Sequence, residues 1–201
     1  SRLARGAAVA AGRRACRGGP GVDGDAPAAI VVEVPLLFEA ASEAGLPQPE
    51  AMALATSSTR GPAVRFVLLK GVDERGFTFF TNYESGKARD LEETGSAGLA
   101  FHWQPLGRQV RVTGPVERTS REESLAYFQS RPRGSQIAAA VSAQSRPVAG
   151  RAELESAYAR LEAELGEGPV PLPEHWGGYR VRPQTVEFWE HRDNRLHDRL
   201  L

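Results

Sequence analysis

From Ala51 to Arg118 the chain is a series of apolar, β-branched and aromatic runs broken by short turns, which confines it to antiparallel sheet. AMALATSS, PAVRFVLLKGV and FTFFT, divided by TRG and DERG, predict a meander of three strands. AGLAFHWQ and RQVRVTGPVER predict two more; the second alternates Val110 and Val112 against Arg111 and Thr113, as a strand with one wet face does. Between these groups, Ser85–Glu93 reads as a short helix closed by Gly95.

The period changes after Arg118. Ser120 and Glu123 have capping-box spacing for a helix that runs to about Ser130 and stops before Pro132. Ser135 is placed to cap a second helix, QIAAAVSA, and Ala152–Leu165 predicts a third with Leu154, Tyr158, Leu161 and Leu165 on one stripe. A rigid GPVPLPEHWGG connection leads to strands GYRVR and TVEFWEH, and the chain ends in RLHDRLL. About seven strands with helices gathered in the middle predict a mainly β, α+β domain, a small barrel with helical excursions. This domain is expected over residues 30–201, opening with a helix at Pro35–Ala44. Residues 1–29 have five arginines and no acid before Pro20, with no apolar period. They read as a disordered or remodelled tail, or as an organelle transit peptide.

Several classes of function lose support. Basic and acidic residues balance at 25 each, which argues against a nucleic-acid coat or a polybasic membrane binder. No apolar run nears the roughly 18–20 residues of a membrane span. One cysteine, Cys16, allows no internal disulfide, and the four histidines lack metal-ligand spacing, so no metal is expected. These features predict an intracellular, cytoplasmic protein unless the N-terminus is a targeting segment. Only two of the 25 basic residues are lysine, Lys70 and Lys87. A retained lysine can reflect a need for a compact, rotatable ammonium, or chance.

Four groups of residues could carry chemistry. Arg65 and Lys70 share a strand but are five apart, so both meet one ligand only if the strand bends; otherwise they serve different ligands or solvent. Thr81 to Lys87 lies at a strand-to-helix junction, where backbone N–H groups, a hydroxyl and an ammonium make a phosphate cradle, or where Ser85 is only a cap. Tyr127 and Arg131, four apart, with Ser135 at the next helix start, form a second candidate anion site. In an extended strand Arg195, His197 and Arg199 share a face, and Trp189 would sit nearby as core or as the wall of a flat ligand site.

Taken together and in order, RFVLLK, FTNYESGK, RQVRVTGPVE, YFQSRPRGSQ, WGGY and EFW…RLHDR resemble the pyridoxamine 5′-phosphate oxidase family, from about Pro47 to Leu201. The resemblance implies an FMN-binding split β-barrel acting as a homodimer with active sites at the subunit interface. It implies oxidation of pyridoxine or pyridoxamine 5′-phosphate to pyridoxal 5′-phosphate, with O2 as acceptor and H2O2 as product. By the same resemblance, FMN meets Arg65, Phe66, Val67, Leu68, Leu69, Lys70, Phe80, Thr81, Lys87, Gln109, Gln144, Ser145, Trp189 and Arg199. The substrate phosphate meets Lys70, Tyr127, Arg131 and Ser135, and Arg195, Leu196 and His197 face its ring, with Arg195 and His197 at the reacting end.

This chain departs from the family at Gly86, where a basic residue is usual, and at Glu190-His191, where Gln-Gly is usual. The N-terminal Arg-x-x-Tyr-type segment and a final strand with an Arg-Leu-x-Pro ending are not recognisable. Two other readings stay open at this point: a sister flavin oxidase acting on a phenazine-type substrate, and a weakly active flavin- or pyridoxal-phosphate-binding protein.

Overall fold

The computed structural model describes residues 26–201, so the readings of the Arg-rich N-terminus and of Cys16 lie outside the described residues. The first helix, α1, spans Ala26–Glu43 and so begins well before the expected Pro35, which it carries inside the helix. Val34, Leu37 and Ala41 are buried on one face, at the spacing that lines up successive helical turns. Phe38, on the same face, meets Phe101 and Trp103 edge-on at 5.6 and 5.3 Å.

Nine antiparallel strands follow. They are β1 (Ala51–Ser58), β2 (Gly61–Leu68), β3 (Gly71–Asp73), β4 (Gly76–Asn82), β5 (Ser96–Trp103), β6 (Arg108–Arg118), β7 (Trp176–Val181), β8 (Thr185–Glu190) and β9 (Asp198–Leu200). The expected three-strand meander is therefore four strands. The run read as PAVRFVLLKGV breaks at Leu69–Lys70, because β2 pairs with β1 whereas β3 turns to pair with β4. The Lys70 N–H donates to Thr78 O at 2.8 Å at the corner. This bend resolves the parity of Arg65 and Lys70: Arg65 lies on β2 and Lys70 at the corner beyond its end.

The order along the sheet is β2-β1-β5-β6-β7-β4-β3, and β8 and β9 branch from β6. Strand β6 forks: Arg108–Thr113 pairs with β8, and Val116–Arg118 pairs with β7. Gly114 stands at the fork, where a Cβ would overlap the Arg182 carbonyl oxygen, so only glycine lets the two limbs part there. The inner faces bury Met52, Leu54, Phe77, Phe79, Leu99, Phe101, Val110, Val112 and Val181 in one core. Truncating one of these phenylalanines to Ala would cost about 3–5 kcal/mol.

The helices are α2 (Gly86–Thr94), α3 (Arg121–Ser130), α4 (Arg133–Val141) and α5 (Arg151–Leu165). Local capping explains the first two: Ser85 accepts from Ala88 N and Gly95 takes a left-handed φ of 64°, while Ser120 and Glu123 form the full capping box. Helix α4 departs from expectation. It starts at Arg133 after Pro132, whose fixed φ suits a helix start, so Ser135 lies in the first turn and is no cap. A second core of Phe128, Ile137, Val170 and Trp176 joins these helices to the sheet, with Tyr158, Leu161 and Leu165 packed on it and Leu154 left exposed.

Candidate active site

Three clusters contain the residues singled out by sequence. The first lies at the start of α2. The Lys87 ammonium donates to Thr81 Oγ1 at 3.1 Å, Gln144 Oε1 at 3.1 Å and Ser85 Oγ at 3.4 Å, and Thr81 Oγ1 donates to Gln144 at 3.0 Å. Burial and the nearby Arg65 charge push Lys87 below the ordinary lysine range. All three of its partners are neutral, so the pocket holds an uncompensated cation beside a helix N-terminus, which suits a phosphate. The loop bearing Gln144 and Ser145 is pinned by Asn82 Nδ2 donating to Ser142 O (3.0 Å) and by the Arg146–Glu84 ion pair (2.9 Å).

Two residues that sequence reasoning missed fix Arg65. Its Nη1 donates to Thr56 Oγ1 at 2.6 Å, and its Nη2 lies 3.5 Å from Oδ2 of the buried Asp90. Burial would raise the Asp90 carboxyl, but bonds from Thr56, Ser58 and Arg60 and the Arg60 charge outweigh it and hold Asp90 below the usual carboxylate range. Asp90 is one of three acids in GKARDLEET, and nothing in its spacing sets it apart for this role. Phe66 points the other way and is 78% exposed, as the strand's alternation requires. Val67 and Leu69 pack on the main core, while Leu68 ends β2 and Lys70 is exposed at the corner.

The second cluster lies on the opposite face of β4. Phe80 stacks on Tyr127 at 4.1 Å and on Trp176 at 5.5 Å, and the Arg131 guanidinium lies 4.9 Å over the Trp176 ring. Gly178 makes room for this wall; a Cβ there would stand 2.8 Å from the Phe80 ring. Arg131 Nη1 is buried and, among the described residues, lacks a hydrogen-bond partner. Burial lowers the Arg131 pKa, with Tyr127 opposing, and burial raises that of Tyr127, with Arg131 opposing. An orphaned guanidinium nitrogen beside aromatic rings suits an anion. Ser135 is partly buried in the first turn of α4, just beyond Arg131. Trp176, in WGGY, forms the floor under Arg131 and was not among the expected site residues.

The third cluster closes the chain. The expected strand alternation of Arg195, His197 and Arg199 does not hold: Asp193–Arg195 forms a 3-10 turn with Asn194 and Arg195 at φ 56° and 63°, and β9 starts only at Asp198. His197 packs 4.6 Å from Trp189 and 5.1 Å from His191, and its Nδ1 accepts from Arg192 N–H at 3.1 Å. Trp189 pairs in register with Gln109 on one side and Arg199 on the other. Arg199 lies 3.4 Å from Glu187, and Leu196 is 77% exposed.

Along β2-β1-β5-β6-β8-β9, Arg65 and Arg199 are five strand steps apart, about 24 Å measured along the sheet.

The profile described as "Pyridoxamine 5′-phosphate oxidase" matches residues 38–164, and one described as "Pyridoxine 5′-phosphate oxidase C-terminal dimerisation region" matches 176–201. Curated relatives named pyridoxine/pyridoxamine 5′-phosphate oxidase are 56% identical in both Rubrobacter xylanophilus and Salinibacter ruber. The first match covers 82% of this chain and 76% of the relative, the second 81% and 77%. Among solved structures, PhzG from Burkholderia lata, bound to tetrahydrophenazine-1-carboxylic acid, superposes with TM-score 0.78 at 30% identity, covering 83% of this chain and 82% of that one. A pyridoxamine 5′-phosphate oxidase-related, FMN-binding protein from Nostoc punctiforme shares the fold at TM-score 0.65 and 18% identity, covering 81% and 86%.

Proposed function

The chain belongs to the pyridoxamine 5′-phosphate oxidase family, and from that premise we propose how its three clusters divide the work of an FMN-dependent oxidase. The enzyme oxidises pyridoxine or pyridoxamine 5′-phosphate to pyridoxal 5′-phosphate. FMN, when bound, takes the hydride and passes the electrons to O2, giving H2O2.

Lys87, Thr81, Gln144 and Ser145, with Arg65 braced by Asp90, hold the FMN phosphate. Tyr127, Arg131, Ser135 and Lys70 take the substrate phosphate, with Phe80 and Trp176 as the adjoining aromatic wall. The observation that carries this reading is Arg131 Nη1, buried and lacking a partner beside that wall. Arg195 and His197 hold the reacting end of the ring. His197 Nδ1 already accepts the Arg192 N–H, which leaves Nε2 to face substrate as a donor. The five strand steps between Arg65 and Arg199 support a homodimer in which one protomer's terminal turn completes its partner's site.

Steady-state kinetics on pyridoxine 5′-phosphate test the assignment. Arg131→Ala removes a charge-assisted contact made before and during hydride transfer. It should raise KM by roughly ten- to a hundredfold, about 1.5–3 kcal/mol, with flavin content unchanged. Arg195→Ala should also lower kcat, because charge at that end changes as hydride leaves. Loss of FMN at unchanged KM in both variants would assign the arginines to the cofactor instead. The likeness to PhzG favours one second reading, a carboxylated phenazine-type substrate whose carboxylate meets Arg131. Turnover of a dihydrophenazine acid exceeding that of pyridoxine 5′-phosphate would establish it.

A further inference from the structure

We propose that Arg180 is a positioning residue for the substrate-phosphate site, acting through Glu123 and α3; the proposal rests on the assignment of Tyr127 and Arg131 to that phosphate. Arg180 lies on β7 opposite Thr78 of β4, with its side chain only 6% exposed. Its Nη2 donates to Glu123 Oε1 at 2.9 Å, its Nη1 is 3.7 Å from Glu117 Oε1 and its Nε 4.0 Å from Asp73 Oδ1. Arg75 closes the ring, reaching Asp73 at 2.6 Å and Glu123 at 2.8 Å. Two guanidinium groups and three carboxylates thus join the β3–β4 hairpin, β6, β7 and the first turn of α3.

Glu123 is the junction. Its Oε1 serves Arg180 and Arg75, and its Oε2 accepts the Ser120 N–H at 3.2 Å, so the carboxylate that caps α3 also ties it to the sheet. Tyr127 lies one turn beyond Glu123 on the same face, and Arg131 closes the helix. On the other side, Asp73 follows Lys70 by three residues, in the strand that starts at the corner. The cluster therefore bridges the two elements that carry the proposed phosphate ligands. Only Arg180 is buried, and its partners are about a third or more exposed, so screening and the cost of desolvating Arg180 leave little net stability, and what the cluster fixes is geometry. Arg180 Nε, buried with no hydrogen-bond partner among the described residues, shows that the cluster is not optimised for stability alone.

The test compares the flavin-loaded parent with Glu123→Gln, Asp73→Asn and Arg180→Lys. Glu123→Gln keeps the cap and the side-chain shape, so the chain should still fold where removing Arg180 outright would leave three carboxylates facing one another. The expected result for Glu123→Gln and Asp73→Asn is a KM for pyridoxine 5′-phosphate about three- to tenfold higher, with flavin affinity and kcat held within about twofold. Arg180→Lys, which keeps the charge, should recover part of the KM. Equal losses of flavin affinity and kcat at unchanged KM would mark the cluster as a structural staple and overturn the proposal. Arg131→Ala, run in parallel, separates the two failures. If it raises KM while Glu123→Gln does not, positioning fails and the phosphate assignment stands; if it leaves KM unchanged, both fall.

Discussion

The pocket at the start of α2 and the turn that ends the chain hold the same kinds of residue under opposite conditions. Lys87 is partly buried, and its acceptors come from β4, the α2 cap and a loop pinned to both. Arg195 and His197 stand on a turn secured by its own neighbours, Arg192 to His197 and Arg192 to Asp198, and by a three-residue strand exposed throughout. Both regions use left-handed backbone: Ser145, Asn194 and Arg195 are the three non-glycine residues at positive φ among the described residues. Such conformations persist only where surroundings over-determine them. Around Ser145 the protomer supplies that support; around Arg195 it supplies little, and Leu196 beside it is exposed. On the proposed assignment, cofactor binding is thus prepared within one chain, whereas the reacting end is prepared by assembly.

Lys87→Ala strikes the prepared side and should have the largest effect. Losing a charged hydrogen-bond donor should weaken FMN binding by about 1.5–3 kcal/mol, roughly ten- to 150-fold, in a fluorescence titration of the apoprotein. Parent-like affinity would erase the contrast. On the loosely held side, Asn194→Ala places a residue poorly suited to left-handed backbone in the turn. It should lower kcat/KM by about 1 kcal/mol, near fivefold, while Asn194→Gly keeps parental activity. A fall in melting temperature instead would mean that the turn is as integral as the pocket.

The smallest effect is a pH dependence. The apo pocket depresses the Lys87 pKa, so a phosphate that favours the ammonium must draw in a proton at alkaline pH. FMN affinity should decline as pH rises between the depressed value and the ordinary lysine range, and Lys87→Met should flatten the profile. The apoprotein's stability runs the other way. Its unfolded chain keeps the lysine proton to higher pH, so this group's penalty on folding fades across the same window.

What the sequence disclosed divides along a physical line. Strand β6 and helices α2 and α3 were readable because their signals are local: alternation at Val110 and Val112, Ser85 and Gly95 as caps, the Ser120–Glu123 box. The corner at Lys70 was not, because VRFVLLKGV is equally apolar on both sides and only pairing with β4 turns it. Ser135 looked like a cap, yet the proline three residues earlier had already begun α4. The alternation drawn through Arg195 and His197 failed at two left-handed residues, of which Asn194 is a type that favours that region and Arg195 is not. Asp90 and Thr56, which brace Arg65, and Trp176, which floors Arg131, are long-range partners without a spacing to betray them.

The fork in β6 carries one more consequence. Residues 108–113 serve β8, residues 116–118 serve β7, and β5 lines the other edge from Ser96 to Trp103. The limb formed by β8 and β9 is therefore joined to the sheet along a single ladder, with Val186 and Phe188 packed on the core, and that ladder shares no bond with the β5–β6 or β6–β7 pairs. Its outer strand, β9, is exposed along its whole length and pairs with β8 alone, so that strand is the part of the sheet with the least to hold it. If Arg195 and His197 act as proposed, the reacting residues would sit beside the strand that the protomer itself holds least, so they would be the last part of each protomer to become solid.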